Sequence, residues 1–287
     1  MKNEKIDTRA IGLDVSLTFA KWLTGTENLH YGDWTGLEVC AANAGPAQEA
    51  YTDRLFKLLP KGKLRILDIG GGAGVTAGKL LALGHHVEIV IPSAFLAARC
   101  RENAPNAVIH EMMFEDFNSD SKFDVCLFSE SFQYIPLPEG MPKCLTLLEP
   151  DGRIIIADCF RSEAFRANPV RATVGSGHGI AGFRQAVADL NLAITHQEDV
   201  TAAVAPSVEI EQGLFNIFGH AISRVDEELV AKKPKTRWLI NRVLRMFVNE
   251  RKRTRLQQRL TEQSRNRDSF AANNVYLMMS LAQSRQE

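Results

Sequence analysis

Residues 65–93, RILDIGGGAGVTAGKLLALGHHVEIVIPS, hold the pattern that decides the fold. The apolar run over residues 64–69 predicts a buried strand, and the glycines that follow predict a tight turn. Residues 75–83 have helical character, and residues 87–91 predict a second strand. A strand, a glycine turn, a helix and another strand are typical of a βαβ unit in a parallel sheet.

The same alternation continues along the chain. Further strands are predicted at residues 107–110, 123–128, 152–160, 193–196 and 273–281, and helices at residues 14–23, 46–59, 93–103, 139–148 and 179–190. Residues 206–267 have a helical pattern throughout. We therefore predict the α/β class: a Rossmann-like, mostly parallel seven-stranded sheet with helices on both faces and a C-terminal helical insertion before the last strand.

Composition narrows the class of protein. The chain has 287 residues, 45% of them hydrophobic, and a net charge of zero, so a large buried core is expected. Its five cysteines form no C-x-x-C pair, which disfavours a metal site or a disulfide framework.

The N-terminus lacks the apolar core of a signal peptide, and no apolar stretch approaches the ~20 residues of a membrane span. We expect a cytoplasmic protein without a transmembrane segment.

Charge is unevenly distributed. Residues 232–267 contain 13 Lys or Arg side chains against two acids, Glu250 and Glu262, for a local charge of +11. Three interpretations stay open: a solvated amphipathic face that packs Trp238 and Phe247 on the domain, a docking surface for an acidic carrier protein, or contact with an anionic membrane. Without interleaved exposed aromatic residues, this charge does not predict a nucleic-acid partner.

The glycine turn suits a cationic ligand better than a phosphate. Gly70, Gly72 and Gly74 form G-x-G-x-G, whereas the dinucleotide fingerprint G-x-G-x-x-G/A has its last position at Val75. No Gly-Lys-Ser/Thr follows, so the turn is not a P-loop. Asp68 adds a carboxylate that repels pyrophosphate and attracts an ammonium or sulfonium group.

An Asp-x-Gly-x-Gly-x-Gly turn after a first strand resembles that of class I S-adenosylmethionine-dependent methyltransferases. Residues 123–160 resemble the fourth strand, following helix and fifth strand of that family, with LLEPDGRIIIAD similar to its L-x-P-G-G turn. Residues 28–34, NLHYGDW, resemble the N-terminal lid of members that methylate quinones and other natural products. The resemblance covers roughly residues 28–198 and the last strand, and it implies S-adenosyl-L-methionine as the cofactor.

The resemblance also implies a division of the chain and a cofactor site. We expect N-terminal helices and a lid in residues 1–60, a cofactor-binding core in 61–200, a substrate-side helical insertion in 201–270, and a closing strand and tail in 271–287. The residues assigned to the cofactor are Tyr31, Asp68, Gly70, Gly72, Gly74, Ile91, Pro92, Phe114, Ser129 and Glu130.

Two positions depart from the family pattern. Ile91 stands where an acid normally holds both ribose hydroxyls, and Glu88 is predicted to point to the opposite face of its strand. Met113 stands where an Asp usually meets the adenine amino group, although Glu115 or Asp116 could substitute. A carboxylate–diol contact contributes roughly 1.5–3 kcal/mol, about one to two decades of affinity. The turn therefore binds the cofactor more weakly than usual, or the scaffold has lost or changed its cofactor.

Candidates for the acceptor side are Tyr134, His30, Asp158 and His178. Each has a structural alternative: core packing for Tyr134, a surface turn for His30, and a helix cap or buried hydrogen bond for Asp158. His178 lies in the glycine-rich segment 174–180, which is either a mobile flap or a flexible connector.

We predict methyl transfer to oxygen or carbon of a small metabolite in natural-product biosynthesis, with a carrier-bound acceptor among the alternatives. The competing hypothesis is an inactive methyltransferase-like scaffold or partner subunit. The acceptor, the choice of O- or C-methylation, and the oligomeric state, with a homodimer among the options, stay open. No spacing of His, Cys, Asp or Glu predicts a metal site.

Overall fold

The computed structural model describes residues 8–166, 177–261 and 265–284. Within them one sheet carries helices on both faces. Its strands are β1 (Arg65–Ile69), β2 (His86–Val90), β3 (Val108–His110), β4 (Phe123–Ser129), β5 (Leu148–Arg161), β6 (Leu192–Asp199) and β7 (Asn274–Gln283). The helices are α1 (Thr8–Thr24), α2 (Ala44–Phe56), α3 (Val75–Ala82), α4 (Ala94–Asn103), α5 (Leu137–Leu147), α6 (Ile180–Asp189), α7 (Thr201–Val204), α8 (Pro206–Lys232), α9 (Pro234–Phe247), α10 (Glu250–Thr261) and α11 (Arg267–Asn273).

The strand order is β3-β2-β1-β4-β5-β7-β6. The pairs from β3 to β5 are parallel, and β7 runs antiparallel to both of its neighbours. This confirms the predicted mostly parallel, seven-stranded sheet. Because β1 pairs with both β2 and β4, the direction of winding reverses there, and a crevice opens beyond the carboxyl ends of these strands.

Strand residues alternate between two apolar layers. On β1, Ile66 packs on the face that α2, α3 and α4 cover, whereas Leu67 packs on the face that α5 and α6 cover. Both side chains are fully buried. Burial on both faces explains why the strands read as nearly continuous apolar runs in the sequence.

Most predicted elements lie within a few residues of their observed positions, and the N-terminal helix is the main exception. It begins at Thr8, so Asp14 lies inside α1 and does not cap it, which corrects the predicted start. Ser93 caps α4 as expected, because its hydroxyl accepts the N–H of Leu96 at 3.3 Å. Proline 46 lies in the first turn of α2, where its missing N–H is tolerated.

The helical insertion lies between β6 and β7 as predicted and comprises α7 to α11. Its two ends meet at the sheet: the N–H of Val200 donates to the carbonyl of Tyr276 at 2.9 Å, and the N–H of Tyr276 donates to Thr201 Oγ1 at 2.8 Å. Across the described part of the chain, no helix is long and apolar enough to cross a bilayer. The proposed division at residues 60, 200 and 270 stays a prediction.

Candidate functional site

A cavity of about 890 Å³ opens at the carboxyl ends of β1, β4 and β5. The glycine turn forms its floor, and the segment after α1 lies over it. Glu211 of α8 and Arg265, just before α11, add a charged wall from the helical insertion. The location is the one that parallel sheets offer to ligands, where strand ends and loop backbones converge.

The glycine turn is shaped by its lack of side chains. Gly70 has a φ of +74°, and a Cβ there would come within 2.5 Å of the Cβ of Ser131. Ser131 in turn donates a hydrogen bond to the carbonyl of Ile69. Gly72 also has a positive φ, +57°, but a Cβ there would meet only Leu29 Cδ1, at 3.9 Å. Gly70 therefore permits the turn, while Gly72 leaves its backbone open to the cavity.

Gly74 lies next to the cavity but does not line it, and its contact with the cofactor stays a prediction. It precedes α3 with a φ of +85°, and a Cβ there would lie 2.8 Å from the Cα of Cys100 on α4. Gly74 therefore allows two helices to pack closely. The regular glycine spacing therefore serves two different requirements: open backbone at the cavity for Gly72, and close helix packing for Gly74.

Asp68 places an unpaired carboxylate oxygen at the cavity floor. The residue is 1% exposed and lines the cavity, and its Oδ2 is buried without a hydrogen-bond partner. Burial raises the pKa of Asp68 to about 7. An uncompensated buried carboxyl is costly, so a cationic ligand beside it would remove part of that cost.

Glu130 connects the cavity to the lid. Its Oε1 accepts the N–H of Tyr31 at 2.7 Å and the hydroxyl of Tyr276 at 2.9 Å. Tyr276 also lies 2.7 Å from the hydroxyl of Tyr51. Burial, together with the nearby charge of Asp158, raises the pKa of Glu130 to about 8, although the hydrogen bond from Tyr31 acts the other way. The backbone of Glu130 has a positive φ of +58°, which is costly for a residue with a side chain. The surrounding structure therefore holds Glu130 in this position.

The segment that resembled a lid is firmly docked. Ser207 Oγ accepts the N–H of Gly32 and the indole N–H of Trp34, both at 2.9 Å. At its start, Glu27 accepts from Arg99 at 2.8 Å and from Asn103 at 2.7 Å. Burial opposes ionisation of Glu27, but these bonds and one from Lys21 lower its pKa to about 2. The lid is therefore tied to α4 and α8 across the cavity.

The positions assigned to ribose and adenine form a largely apolar wall. It contains Ile91, Pro92 and Phe114, which line the cavity, and their contact with the cofactor stays a prediction. Glu88 is turned away, since it bonds to Arg65 and His110 on the neighbouring strands. Met113 lines the cavity too, and beside it Glu115 has a buried Oε2 without a hydrogen-bond partner. This wall therefore offers no carboxylate at Ile91, but it has an unsatisfied acceptor at Glu115.

Two of the acceptor-side candidates, Tyr134 and His30, line the cavity. Tyr134 is 59% exposed, so the core-packing alternative is wrong for it. His30 is buried rather than part of a surface turn: its ring stacks on Tyr51, and its Nδ1–H donates to the carbonyl of Tyr31 at 2.8 Å. Burial lowers the pKa of His30 to about 4. A neutral, hydrogen-bonded imidazole of this kind is a poor proton acceptor near neutral pH.

Asp158 lines the cavity, whereas His178 does not. Asp158 is 1% exposed and accepts the backbone and side-chain N–H groups of Gln133 at 3.0 and 3.1 Å, so it orients that residue. Burial raises the pKa of Asp158 to about 7. His178 Nε2 donates to the carbonyl of Ile135 at 2.9 Å, which gives it a structural role. The role of His178 as a base stays a prediction, and residues 174–176 of the proposed flap lie outside the described residues.

Sequence reasoning missed Tyr276, Glu211 and Arg265. An apolar closing strand gave no sign that its tyrosine reaches the cavity. Nη2 of Arg265 lies 3.0 Å from Glu211 Oε2, yet the two residues are far apart in sequence: Glu211 lies on α8 and Arg265 just before α11. Only the arrangement of the insertion brings them together.

We expect Tyr276→Phe to lower the free energy of unfolding by about 1 kcal/mol, as loss of a buried hydrogen bond does. The hydroxyl serves both Glu130 and Tyr51, and its removal leaves their oxygens less satisfied. Urea denaturation followed by circular dichroism measures the change. An unchanged midpoint would show that the hydroxyl network contributes nothing to stability.

Residues 66–152 match a family model described as a methyltransferase domain. The match spans less than half of the chain. Over 104 residues it is 28% identical to a ubiquinone biosynthesis O-methyltransferase of Rhodopseudomonas palustris (strain TIE-1). That alignment covers 34% of this chain and 41% of the relative, so less than half of the relative's length is matched.

Solved structures with the methyltransferase fold extend the likeness to nearly the whole chain. The cyclopropane synthase MmaA2 of Mycobacterium tuberculosis aligns over 94% of this chain and 95% of its own, with a TM-score of 0.68 and 14% identity. A geranyl diphosphate C-methyltransferase of Streptomyces coelicolor A3(2), solved with S-adenosyl-L-homocysteine, covers 98% and 100%, with a TM-score of 0.63 and 14% identity. At these identities the likeness concerns the fold, and it includes the helical insertion.

Proposed function

We propose that this protein transfers the methyl group of S-adenosyl-L-methionine to oxygen or carbon of a small metabolite. The observation that carries the proposal is the open backbone at Gly72 beside the unpaired carboxylate of Asp68. A site of this kind accepts a cationic amino-acid moiety and disfavours a phosphate. Matched methyltransferase relatives and the fold support the same activity.

The cavity residues fit the cofactor. Asp68 and Glu130 supply negative charge on the floor, and Phe114 with Ile91 supplies an apolar surface for a base. The buried Oε2 of Glu115 lacks a donor, and an adenine amino group is a suitable one. When bound, S-adenosyl-L-methionine supplies an electrophilic methyl group on a positively charged sulfur.

On the acceptor side, this chain mainly positions and shields. Gln133, held by Asp158, and Tyr134 lie at the edge of the cavity, and the docked lid limits the access of water. Arg265 and Glu211 provide a polar wall that suits an acceptor with hydrogen-bonding groups. A role in natural-product biosynthesis, a carrier-bound acceptor, a homodimer and a cytoplasmic location remain parts of this proposal.

A non-catalytic scaffold is the second candidate, and Ile91 is the observation that favours it. This side chain lines the cavity at the ribose position, is 5% exposed, and provides no acceptor for the hydroxyls. Backbone contacts and the floor charges must then hold the cofactor alone.

Titration calorimetry with S-adenosyl-L-methionine separates the two candidates. We expect heat of binding together with a rise in the melting temperature. Mass spectrometry of small quinols and phenolic acceptors incubated with the loaded protein would then detect added methyl groups. Absence of both heat and thermal shift at saturating cofactor would favour the scaffold.

Cofactor affinity is expected to rise with pH. Burial raises the pKa values of Asp68 and Asp158 to about 7 and that of Glu130 to about 8, above the ordinary values of 3.8 and 4.5. Between the ordinary and raised values the folded chain holds protons that the unfolded chain has lost. The stability of the ligand-free fold therefore falls as pH rises through this window. A cation favours the ionised carboxylates, so binding releases protons.

The expected increase is up to about tenfold in affinity per pH unit for each proton released. Calorimetry from about pH 6 to about pH 9 in buffers of different ionisation enthalpy measures both the affinity and the protons released. The scan should also show a melting temperature of the free protein that falls over the same range. A flat affinity profile without proton release would mean that these carboxyls do not face the cofactor's charge.

A further inference from the structure

Helix α9 has an apolar side that is open to solvent. Its exposed apolar side chains are Leu239, Ile240, Val243, Leu244 and Met246, which are between 43% and 75% exposed. At 3.6 residues per turn they fall within an arc of about 160°. A helix of a globular domain normally buries such a face, and among the described residues this one has no partner that covers it.

The opposite side of α9 is basic. It carries Lys235, Arg237, Arg242 and Arg245, and α9 contains no acidic residue. Arg237 is paired with Asp226 of α8 at 2.7 Å, and the Arg242 guanidinium lies 5.3 Å from the centroid of the Trp238 ring. Trp238 is itself 61% exposed and lies among these basic residues. The helix therefore combines a broad apolar face with a cationic face that also carries an exposed aromatic residue.

The charge indicates what covers this face. A second copy would bring another segment of charge +11 against the first, which opposes self-association through α9. Phosphates of a nucleic acid would satisfy the arginines but leave the apolar face in water. An anionic lipid surface satisfies both, because apolar side chains enter the acyl boundary while Lys and Arg remain among the headgroups.

We propose that α9 binds in the plane of an anionic lipid membrane, with its Leu239–Met246 face immersed. The contact is peripheral, since no helix among the described residues is long and apolar enough to span a bilayer. The argument rests on α9 alone and is independent of the proposed methyl transfer. Binding to lipid and binding to S-adenosyl-L-methionine can therefore fail separately.

Co-sedimentation with vesicles tests the proposal. The full chain is mixed with vesicles of phosphatidylcholine alone, or of phosphatidylcholine with phosphatidylglycerol, at low and high salt. We expect binding to the anionic vesicles that weakens with salt, and little binding to the neutral ones. Loss of two positive charges at such a surface reduces partitioning by roughly 30-fold, and charge reversal by more.

Three variants sharpen the result. R242E/R245E removes basic charge, and L239N/L244N makes the apolar face polar; both should release the protein from anionic vesicles. K61E/K63E changes the same number of charges at exposed positions before β1 and should bind as the wild type does. Circular dichroism and cofactor calorimetry confirm that each variant is folded.

The outcomes are decisive in each direction. Absence of binding to anionic vesicles overturns the proposal, and so does binding that neither α9 variant reduces. Analytical ultracentrifugation adds a third result: a wild-type dimer that L239N/L244N converts to monomer, without lipid binding, would assign the face to a second copy.

Discussion

The substitution Gly72→Asn is expected to reduce the affinity for S-adenosyl-L-methionine about 10- to 100-fold while the fold persists. An intruding side chain costs a well-fitted site roughly 1–3 kcal/mol, which corresponds to that loss. Gly72 has a φ of +57°, a conformation that asparagine tolerates better than other side chains. A Cβ at this position meets no backbone atom within 4 Å, so the new side chain would occupy cavity space rather than strain the core.

Gly84→Asn is the matched control. Gly84 has a φ of +88° and no atom within 4 Å of an added Cβ, but it follows α3 away from the cavity. The control therefore carries the same conformational cost without the obstruction. Calorimetry on both variants gives the comparison. Equal affinities would show that the backbone at Gly72 does not approach the cofactor, and the assignment of the floor would be wrong.

Asp68→Asn is expected to change binding and stability in opposite directions. Removing the charge deletes a contact with a cationic ligand, at a cost of about 1.5–3 kcal/mol or roughly 10- to 100-fold in affinity. The same change removes an ionisable group whose pKa burial raises to about 7 and whose Oδ2 has no partner. The ligand-free protein should therefore melt at a higher temperature.

Asp53→Asn controls for the change in net charge, since Asp53 is exposed on α2. It should alter neither cofactor affinity nor melting temperature. Calorimetry and thermal melts at a pH above 8 make the contrast largest, because Asp68 is then mostly ionised. Should Asp68→Asn lower both stability and affinity, the carboxylate would be serving the fold and not the cation.

The sequence predicted those features that depend on short stretches of chain. Strand β1, its turn and α3 follow from neighbouring residues, and so does the cap at Ser93. The packing requirement at Gly74 was not predicted, because it comes from Cys100 on another helix, which the glycine spacing does not show. Burial of His30 depends likewise on Tyr51, across the fold. His30 lies close to Tyr51, and burial lowers the pKa of His30, only once the lid has docked.

Glu211 and Arg265 show the same limit more strongly. Their meeting requires the segment just before α11 to lie beside α8, and amphipathic patterns do not specify which segments pair. The expected acid at Ile91 was noticed as missing because the sequence resembles the family pattern there, and the alternation of side chains along β2 predicted that Glu88 points away. For the adenine position the sequence left Glu115 and Asp116 open, and the unpartnered Oε2 of Glu115 favours the first.

The insertion leaves and rejoins the sheet at adjacent points, where the main chain of Val200 contacts that of Tyr276. Because both ends of the insertion meet the sheet at one place, the insertion can be lengthened, shortened or replaced without changing the register of the strands. Evolution can thus change the substrate of the protein, or its location, through the insertion alone. The part of the protein that binds the methyl donor then stays the same. Replacing the helical insertion between Val200 and Tyr276 with another is a direct route to altered substrate specificity.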